Sequence, residues 1–234
     1  MWQKREYQDE QITHVEPMGK RKRPWAIDVL LYPMTVTGVV NLCVFVGVPM
    51  LMNMLVLIKH FTILVGLYVI WYLVECVKSS AGGGLRAPRI AGSWNENLPD
   101  AIVTYICVMA VYILCFVPMI AYNAVVEQKD VFYWLLLAYG VWIFPMLVLS
   151  VILFHFAAAW NPVKLVRRIF RVFGKYFILC LGLFAFLVVL HFVPSEPHIL
   201  ISIGLRFAIL YVFMIFAHLI GRLYYNNKDK LDWF

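Results

Sequence analysis

The chain of 234 residues is 63% hydrophobic and only 14% charged, whereas soluble domains are roughly 45–50% apolar and about 25% charged. A soluble fold of this length has no interior large enough for so much apolar surface, so lipid must be the solvent for part of the chain. The formal net charge of +7 indicates a membrane protein rather than a nucleic-acid-binding protein, because the basic residues gather on one predicted side of the membrane.

Six apolar segments, each long enough to cross a bilayer as a helix, follow one another along the chain. They are preceded by a polar arm, residues 1–24, and by a short amphipathic lead-in from Trp25 to Thr35. We predict the spans at about residues 36–58, 61–77, 101–125, 131–160, 176–193 and 198–223. The predicted fold class is therefore all-α: a six-helix transmembrane domain over residues 25–223, followed by a cytoplasmic tail, residues 224–234.

The connections between the predicted spans differ in length and polarity. Lys59-His60 is predicted to form a tight turn, and residues 78–100 to form the longest loop. The glycine-rich stretch 79–84 of that loop is flexible by composition. Two further short turns are predicted at residues 127–130 and 194–197.

The distribution of Lys and Arg predicts the orientation of the spans. Seventeen of the 20 basic residues lie in the N-terminal arm, the second and fourth loops and the tail. Lys59 and Lys129 lie on the opposite side, and Arg206 lies within a span. By the positive-inside rule both termini face the cytoplasm. We expect an integral protein of a bacterial inner membrane.

Arg206 is the most informative polar residue inside a predicted span. It lies roughly 12 Å into the sixth span, counted from its outer end, where a charge costs about 2.5–3.5 kcal/mol on insertion scales. Ser202 lies one turn away on the same face, and Glu196 or His191 is placed to approach from the outer end. The functional interpretation is a contact with a substrate, an ion or a lipid headgroup. The structural interpretation is an Arg that bonds to carbonyls or snorkels to the interface.

A basic segment between the fourth and fifth spans predicts a short amphipathic helix at the membrane interface. Its five cations fall within an arc of about 100° on a helix. They are Lys164, Arg167, Arg168, Arg171 and Lys175. Such a face either fixes the topology by its charge or docks an anionic lipid or an acidic soluble partner.

No pattern predicts a cofactor, a metal site or catalysis. Histidines on different helices at one depth are able to hold a haem, and four lie near span ends: His60, His155, His191 and His218. No two of them share a helix at ligand spacing. The five cysteines form no CxxC pair. Phosphate-binding, nucleophile-elbow and zinc-protease motifs are also missing, so we predict that the protein is not an enzyme.

Several loop features resemble a bacterial family of uncharacterised polytopic membrane proteins, distantly similar to Yip-type membrane proteins. They are Tyr32-Pro33, the glycine- and proline-containing loop 81–88, residues 95–100, and Asn161-Pro162 with residues 163–169. The resemblance covers roughly residues 30 to 190. It implies a helical membrane protein and carries no catalytic residues, and a sixth span departs from the five of the Yip-type proteins.

These observations favour a non-enzymatic accessory or scaffold subunit. Its expected partners are membrane lipids and either other integral membrane proteins or a second copy of the chain, and no nucleic acid. The spans are rich in aromatic residues and methionine, which pack well against other helices or lipid. One alternative is a transporter of small solutes or a lipid-handling protein organised around Arg206. A second alternative is a haem- or quinone-binding subunit of an electron-transfer complex.

Overall fold

The computed structural model of the protein describes residues 24–54, 59–88, 98–154, 162–193 and 199–231. Every regular element in these ranges is a helix, which confirms the all-α prediction. Within the described ranges, four helices are long and apolar enough to cross a membrane, so the chain has the character of an integral membrane protein. The predicted polar arm before Pro24, and His155 and Glu196, lie outside the described residues.

The helices follow one another in the order that the sequence predicts. We number those of the described ranges α1 to α9: Trp25–Leu30, Val36–Met54, Lys59–Ala81, Leu98–Val126, Val131–Phe154, Pro162–Arg171, Phe173–His191, Ile199–Tyr225 and Lys228–Leu231. A 3-10 turn, Tyr32–Met34, joins α1 to α2. The four helices with the length and apolarity of a span are α4, α5, α7 and α8.

The first two predicted spans correspond to α2 and α3, which are not among these four. Within the described residues the apolar part of α2 extends over Val36–Leu51, and the side chains of residues 52–64 are not described, so the lengths of these two spans stay predictions. Lys59 and His60 belong to α3, so the two residues predicted to form a tight turn are helical. Residues 55–58, which follow the described part of α2, lie outside the described residues.

The glycine-rich stretch predicted to be flexible forms an ordered helix end. Helix α3 continues to Ala81, and Gly83 has a positive φ of 100°. The N–H of Gly84 donates to the carbonyl of Ser79 at 2.8 Å, and the N–H of Gly83 donates to the carbonyl of Ser80 at 3.1 Å. These two bonds form a Schellman cap, which needs a left-handed residue such as glycine. The glycine-rich composition predicted a flexible stretch, whereas the hydrogen bonds of the cap hold residues 79–84 in one conformation.

The basic segment splits into two helices at Val172. Helix α6 ends at Arg171 and α7 begins at Phe173, with the buried Val172 between them. Lys175 therefore lies on α7 and not on the short helix predicted for the whole segment. This earlier start also lengthens the fifth predicted span toward its N-terminus.

Contacts divide the protein into two compact units. The first contains residues 1–97 and 195–226, and the second contains residues 98–194 and 227–234. In the first unit, α8 packs along α3, α2 packs against both, and the 3-10 turn contacts α2 and α8. The interior holds the fully buried side chains of Tyr72, Leu42 and Met214.

The second unit is built on the antiparallel hairpin of α4 and α5. Gly140 of α5 lies so close to α4 that an added Cβ would stand 2.8 Å from the carbonyl oxygen of Cys115 and 3.0 Å from the ring of Phe116. Helix α7 also packs on α5, and its Tyr176 hydroxyl donates to the Trp142 carbonyl. Met146 of α5 is fully buried. Helices α6 and α9 contact each other.

Candidate functional site

A buried polar cluster lies in the first unit, formed by Tyr32, Ser80, His218 and Arg222. A hydrogen bond of 2.7 Å joins the Ser80 hydroxyl and the Nδ1 atom of His218. The ring of Tyr32 stacks on His218, with 4.0 Å between centroids and 21° between planes. Ser80 and His218 are 0% and 1% exposed. The cluster therefore joins α3, α8 and the 3-10 turn through side chains shielded from solvent.

Arg222 ties α8 to the glycine cap of α3. Its Nη1 atom donates to the carbonyl of Gly83 at 3.3 Å, and its guanidinium carbon lies 4.6 Å from the centroid of the Tyr225 ring. A cation at the C-terminal end of a helix is favourable because carbonyl dipoles converge there. The second contact is a cation–π interaction. The buried cluster thus holds a charge at the place where α3 ends.

Burial keeps the Tyr32 hydroxyl neutral. Burial, and then the neighbouring Cys76, raise the pKa of Tyr32 well above its ordinary value. The Ser–His pair beside it is also closed to solvent. A buried and hydrogen-bonded network specifies one register of the helices that carry it. We therefore interpret the cluster as a positioning element.

The structure places Arg206 and Ser202 on the same face of α8, as predicted. Arg206 is exposed and Ser202 is partly exposed. No hydrogen bond or ion pair joins Arg206 to another described residue. Of the two predicted neighbours, His191 lies instead with its Nε2 atom 3.0 Å from the Nζ atom of Lys129. Arg206 thus presents its charge on the outside of α8.

Helix α6 of the second unit presents three distinct faces. Buried residues, exposed apolar residues and exposed basic residues each fill a sector of about 60–100° at 100° per residue. The buried face consists of Leu165, Arg168 and Ile169. The exposed apolar face consists of Val163, Val166 and Phe170. The exposed basic face consists of Lys164, Arg167 and Arg171.

Two of the five predicted cations do not lie on this basic face. Arg168 is only 6% exposed and turns toward the protein with Leu165 and Ile169. Lys175 lies on α7, where its Nζ atom donates to the side-chain oxygen of Asn227 at 3.5 Å. The helical-wheel prediction placed all five together because it treated residues 163–175 as one isolated helix.

The C-terminal helix α9 extends the basic face of α6, which the sequence did not predict. Arg171 donates to the carbonyl oxygen of Lys230 at 3.2 Å. Lys228 and Lys230 are exposed, as is the acidic Asp229 between them. Both this contact and that of Lys175 use uncharged oxygens as acceptors. The tail and the loop, which are far apart in the chain, therefore form one basic surface.

A ladder of aromatic rings runs from α6 onto α7. Phe170 stacks on Phe173 with 6.0 Å between centroids, and Phe173 stacks on Phe177 with 5.9 Å between centroids. Trp142 of α5 packs against one side of the ladder, with 5.8 Å between its ring centroid and that of Phe173. All three phenylalanines are exposed, and Phe170 is 65% exposed. The exposed apolar face of α6 therefore continues onto α7, a helix long and apolar enough to span a membrane.

The turn between α4 and α5 is held by Asp130. Its Oδ1 atom accepts the N–H of Tyr133 at 3.1 Å, and its Oδ2 atom accepts the hydroxyl of Tyr122 at 2.6 Å. The hydrogen bonds from Tyr122 and then Tyr133 lower the pKa of Asp130. Glu127 adopts the left-handed conformation with φ of 53°. The sequence predicted this turn but not its N-cap.

The described residues contain no group of three or more His, Cys, Asp or Glu side chains that are able to hold a metal ion. His218, one of the four histidines considered for haem, is engaged with Ser80 and Tyr32. No local pattern distinguishes His218 from the other three histidines, because its partners lie more than a hundred positions away. One available signal was Gly221, since small residues mark the close approach of membrane helices. An added Cβ there would meet the carbonyl oxygen of Val77 at 2.5 Å.

Comparison of the chain with family models, with curated proteins and with solved structures found no match in any of the three. The resemblance to uncharacterised polytopic membrane proteins therefore stays a prediction, and function has to be argued from the site itself.

Proposed function

We propose that the protein is a non-enzymatic accessory subunit of a bacterial inner-membrane complex, with six spans and both termini in the cytoplasm. Its proposed partner is another integral membrane protein that supplies an acidic side chain to Arg206. The exposed position of Arg206 on α8 is the observation that carries this proposal.

The energy of the exposed charge argues for a partner. Arg206 lies about 7.5 Å into the apolar segment that begins at Ile201, at a rise of 1.5 Å per residue. A charge within a span faces protein or water in nearly all membrane proteins, because hydrocarbon does not solvate it. A carboxylate from a neighbouring helix would satisfy the guanidinium with two parallel hydrogen bonds.

A second copy of the chain offers no such carboxylate from within its predicted spans at the depth of Arg206. Glu75 is the only acidic residue inside a predicted span, and it forms an ion pair with Lys78 at 3.2 Å. It also lies near the predicted cytoplasmic end of α3, whereas Arg206 lies near the predicted outer end of α8. A different protein is therefore the better candidate than a homo-oligomer.

Purification of the full chain from native membranes in mild detergent tests this function. We expect a stable complex with at least one other membrane protein, which native mass spectrometry identifies. Arg206→Leu should remove most of the co-purifying partner. Arg206→Lys should retain part of it, because lysine keeps the positive charge but does not form the two parallel hydrogen bonds of arginine. Arg86→Leu, which removes an exposed cation outside the spans, is the matched control.

Two outcomes contradict the accessory-subunit proposal. One is a wild-type protein that purifies alone. The other is an Arg206→Leu variant with an unchanged set of partners, which is the result expected if Arg206 only snorkels to lipid phosphate. Loss of a bound lipid instead of a protein would favour the lipid-handling alternative.

A further inference from the structure

We propose that α6 and α9 together form a docking surface for the headgroups of anionic phospholipids, with the aromatic ladder of Phe170, Phe173 and Phe177 inserted beside them. The surface belongs to the second unit alone. This inference does not depend on the proposed partner of Arg206.

The charge of the surface identifies its occupant. Helices α6 and α9 carry six basic side chains and one acidic side chain, Asp229. Five of the six are exposed, the exception being Arg168. Cations close to an anionic leaflet contribute about 1 kcal/mol each to binding. Phosphate groups are the anions that line a membrane surface.

The apolar face gives the surface its orientation at the membrane. An interfacial helix buries its apolar side below the headgroups and keeps its cations at their level. On α6 the exposed apolar face and the exposed basic face lie side by side and together turn away from the protein. An acidic soluble partner would account for the cations but not for Phe170, which is 65% exposed.

The connection from α6 to α7 also supports a position of α6 at the membrane interface. The stacked rings of Phe173 and Phe177 carry the apolar face of α6 onto a helix long and apolar enough to span the membrane. The break at Val172 is thus the point where the chain passes from the interface into the bilayer. The cations of α9 reach the same level because Arg171 holds the carbonyl of Lys230.

Lipid binding by the purified full chain tests the proposal. The protein in mild detergent is titrated with phosphatidylglycerol or phosphatidylcholine, and the bound lipids are counted by native mass spectrometry. We expect preferential retention of phosphatidylglycerol, weakened by added salt. Replacement of Arg167 and Arg171 together by Gln should weaken this binding by about 30-fold, from about 1 kcal/mol per cation.

Two further variants separate the two parts of the surface. Phe170→Ser should reduce the retention of both lipids, because it removes the apolar contact and leaves the charge. Arg86→Gln, a change of an exposed cation elsewhere in the chain, should leave lipid binding unchanged. Circular dichroism checks that each variant keeps its helix content.

The proposal is overturned if phosphatidylglycerol and phosphatidylcholine bind the wild-type protein equally. It is also overturned if the Arg167/Arg171 double variant, folded and monodisperse, retains phosphatidylglycerol as the wild type does. In the latter case the basic surface serves an acidic soluble partner or topology alone.

Discussion

Among the described residues, two helix pairs are aligned by different means. Helices α3 and α8, far apart in the chain, meet through hydrogen-bonded side chains: Ser80 with His218, and Arg222 with the carbonyl of Gly83. Helices α4 and α5, adjacent in the chain, meet through aromatic rings and Gly140, and Asp130 holds the turn between them. A short turn already limits how two helices slide, whereas a distant pair needs specific contacts to fix its register.

The largest expected effect on stability comes from filling the close helix contacts at Gly221, between α8 and α3, and at Gly140, between α5 and α4. Gly221→Ala should destabilise the protein by about 3 kcal/mol, because the new Cβ meets buried backbone that has no room to move. The corresponding fall in Tm is roughly 6–12 °C for a chain of this size. Gly140→Ala should cost less, about 1–2 kcal/mol, because its nearest contact is 2.8 Å rather than 2.5 Å. Thermal unfolding in detergent measures both.

Matched controls exist in each unit. Gly204 and Gly174 have open space around an added Cβ, so Gly204→Ala and Gly174→Ala should be neutral or slightly stabilising because alanine favours helix by about 0.5–1 kcal/mol. If Gly221→Ala is as harmless as Gly204→Ala, then α3 and α8 do not approach as closely as described.

The next effect compares the hydrogen bonds of the two units. Ser80→Ala should cost about 1–3 kcal/mol, because it leaves the buried Nδ1 atom of His218 without that partner. Tyr176→Phe should cost about 1 kcal/mol or less. It removes the hydrogen bond to the Trp142 carbonyl, but that carbonyl belongs to the backbone of a helix and stays in place. The unfolding midpoints of the two variants rank them.

A double-mutant cycle sharpens the comparison in the first unit. His218→Phe keeps a ring against Tyr32 but removes the bond to Ser80. Ser80→Ala combined with His218→Phe should cost about 0.5–3 kcal/mol less than the two single changes added together. Strict additivity would show that the Ser–His bond does not contribute to the alignment of α3 and α8.

Local patterns predicted the helices well and the contacts between them poorly. The apolar segments and the polar turn before Val131 gave the order of the helices, because both depend on neighbours in the chain. The register of α3 against α8 depends on Ser80 and His218, and no local pattern joins positions so distant. The same reason explains why Arg168 was grouped with the exposed cations. Its burial depends on what α6 packs against.

The smallest expected effect concerns the turn of the second helix pair. Because hydrogen bonds lower the pKa of Asp130 in the folded state, its carboxylate stabilises the fold above the unfolded pKa of about 3.9. That contribution is lost as the pH falls through the lower, folded value. Asp130→Asn keeps a capping side chain but does not titrate, so its Tm should fall less than that of the wild type between pH 6 and pH 3.

Tyr122→Phe gives the intermediate case of the same experiment. It removes the hydrogen bond to Oδ2 and leaves the bond from the Tyr133 N–H, so the pKa of Asp130 should rise part of the way back. The loss of stability in acid should then be smaller than in the wild type and complete at a higher pH. Identical acid profiles for the wild type and both variants would mean that the turn does not depend on this carboxylate. The α4–α5 hairpin would then be aligned by Gly140 and its aromatic rings alone.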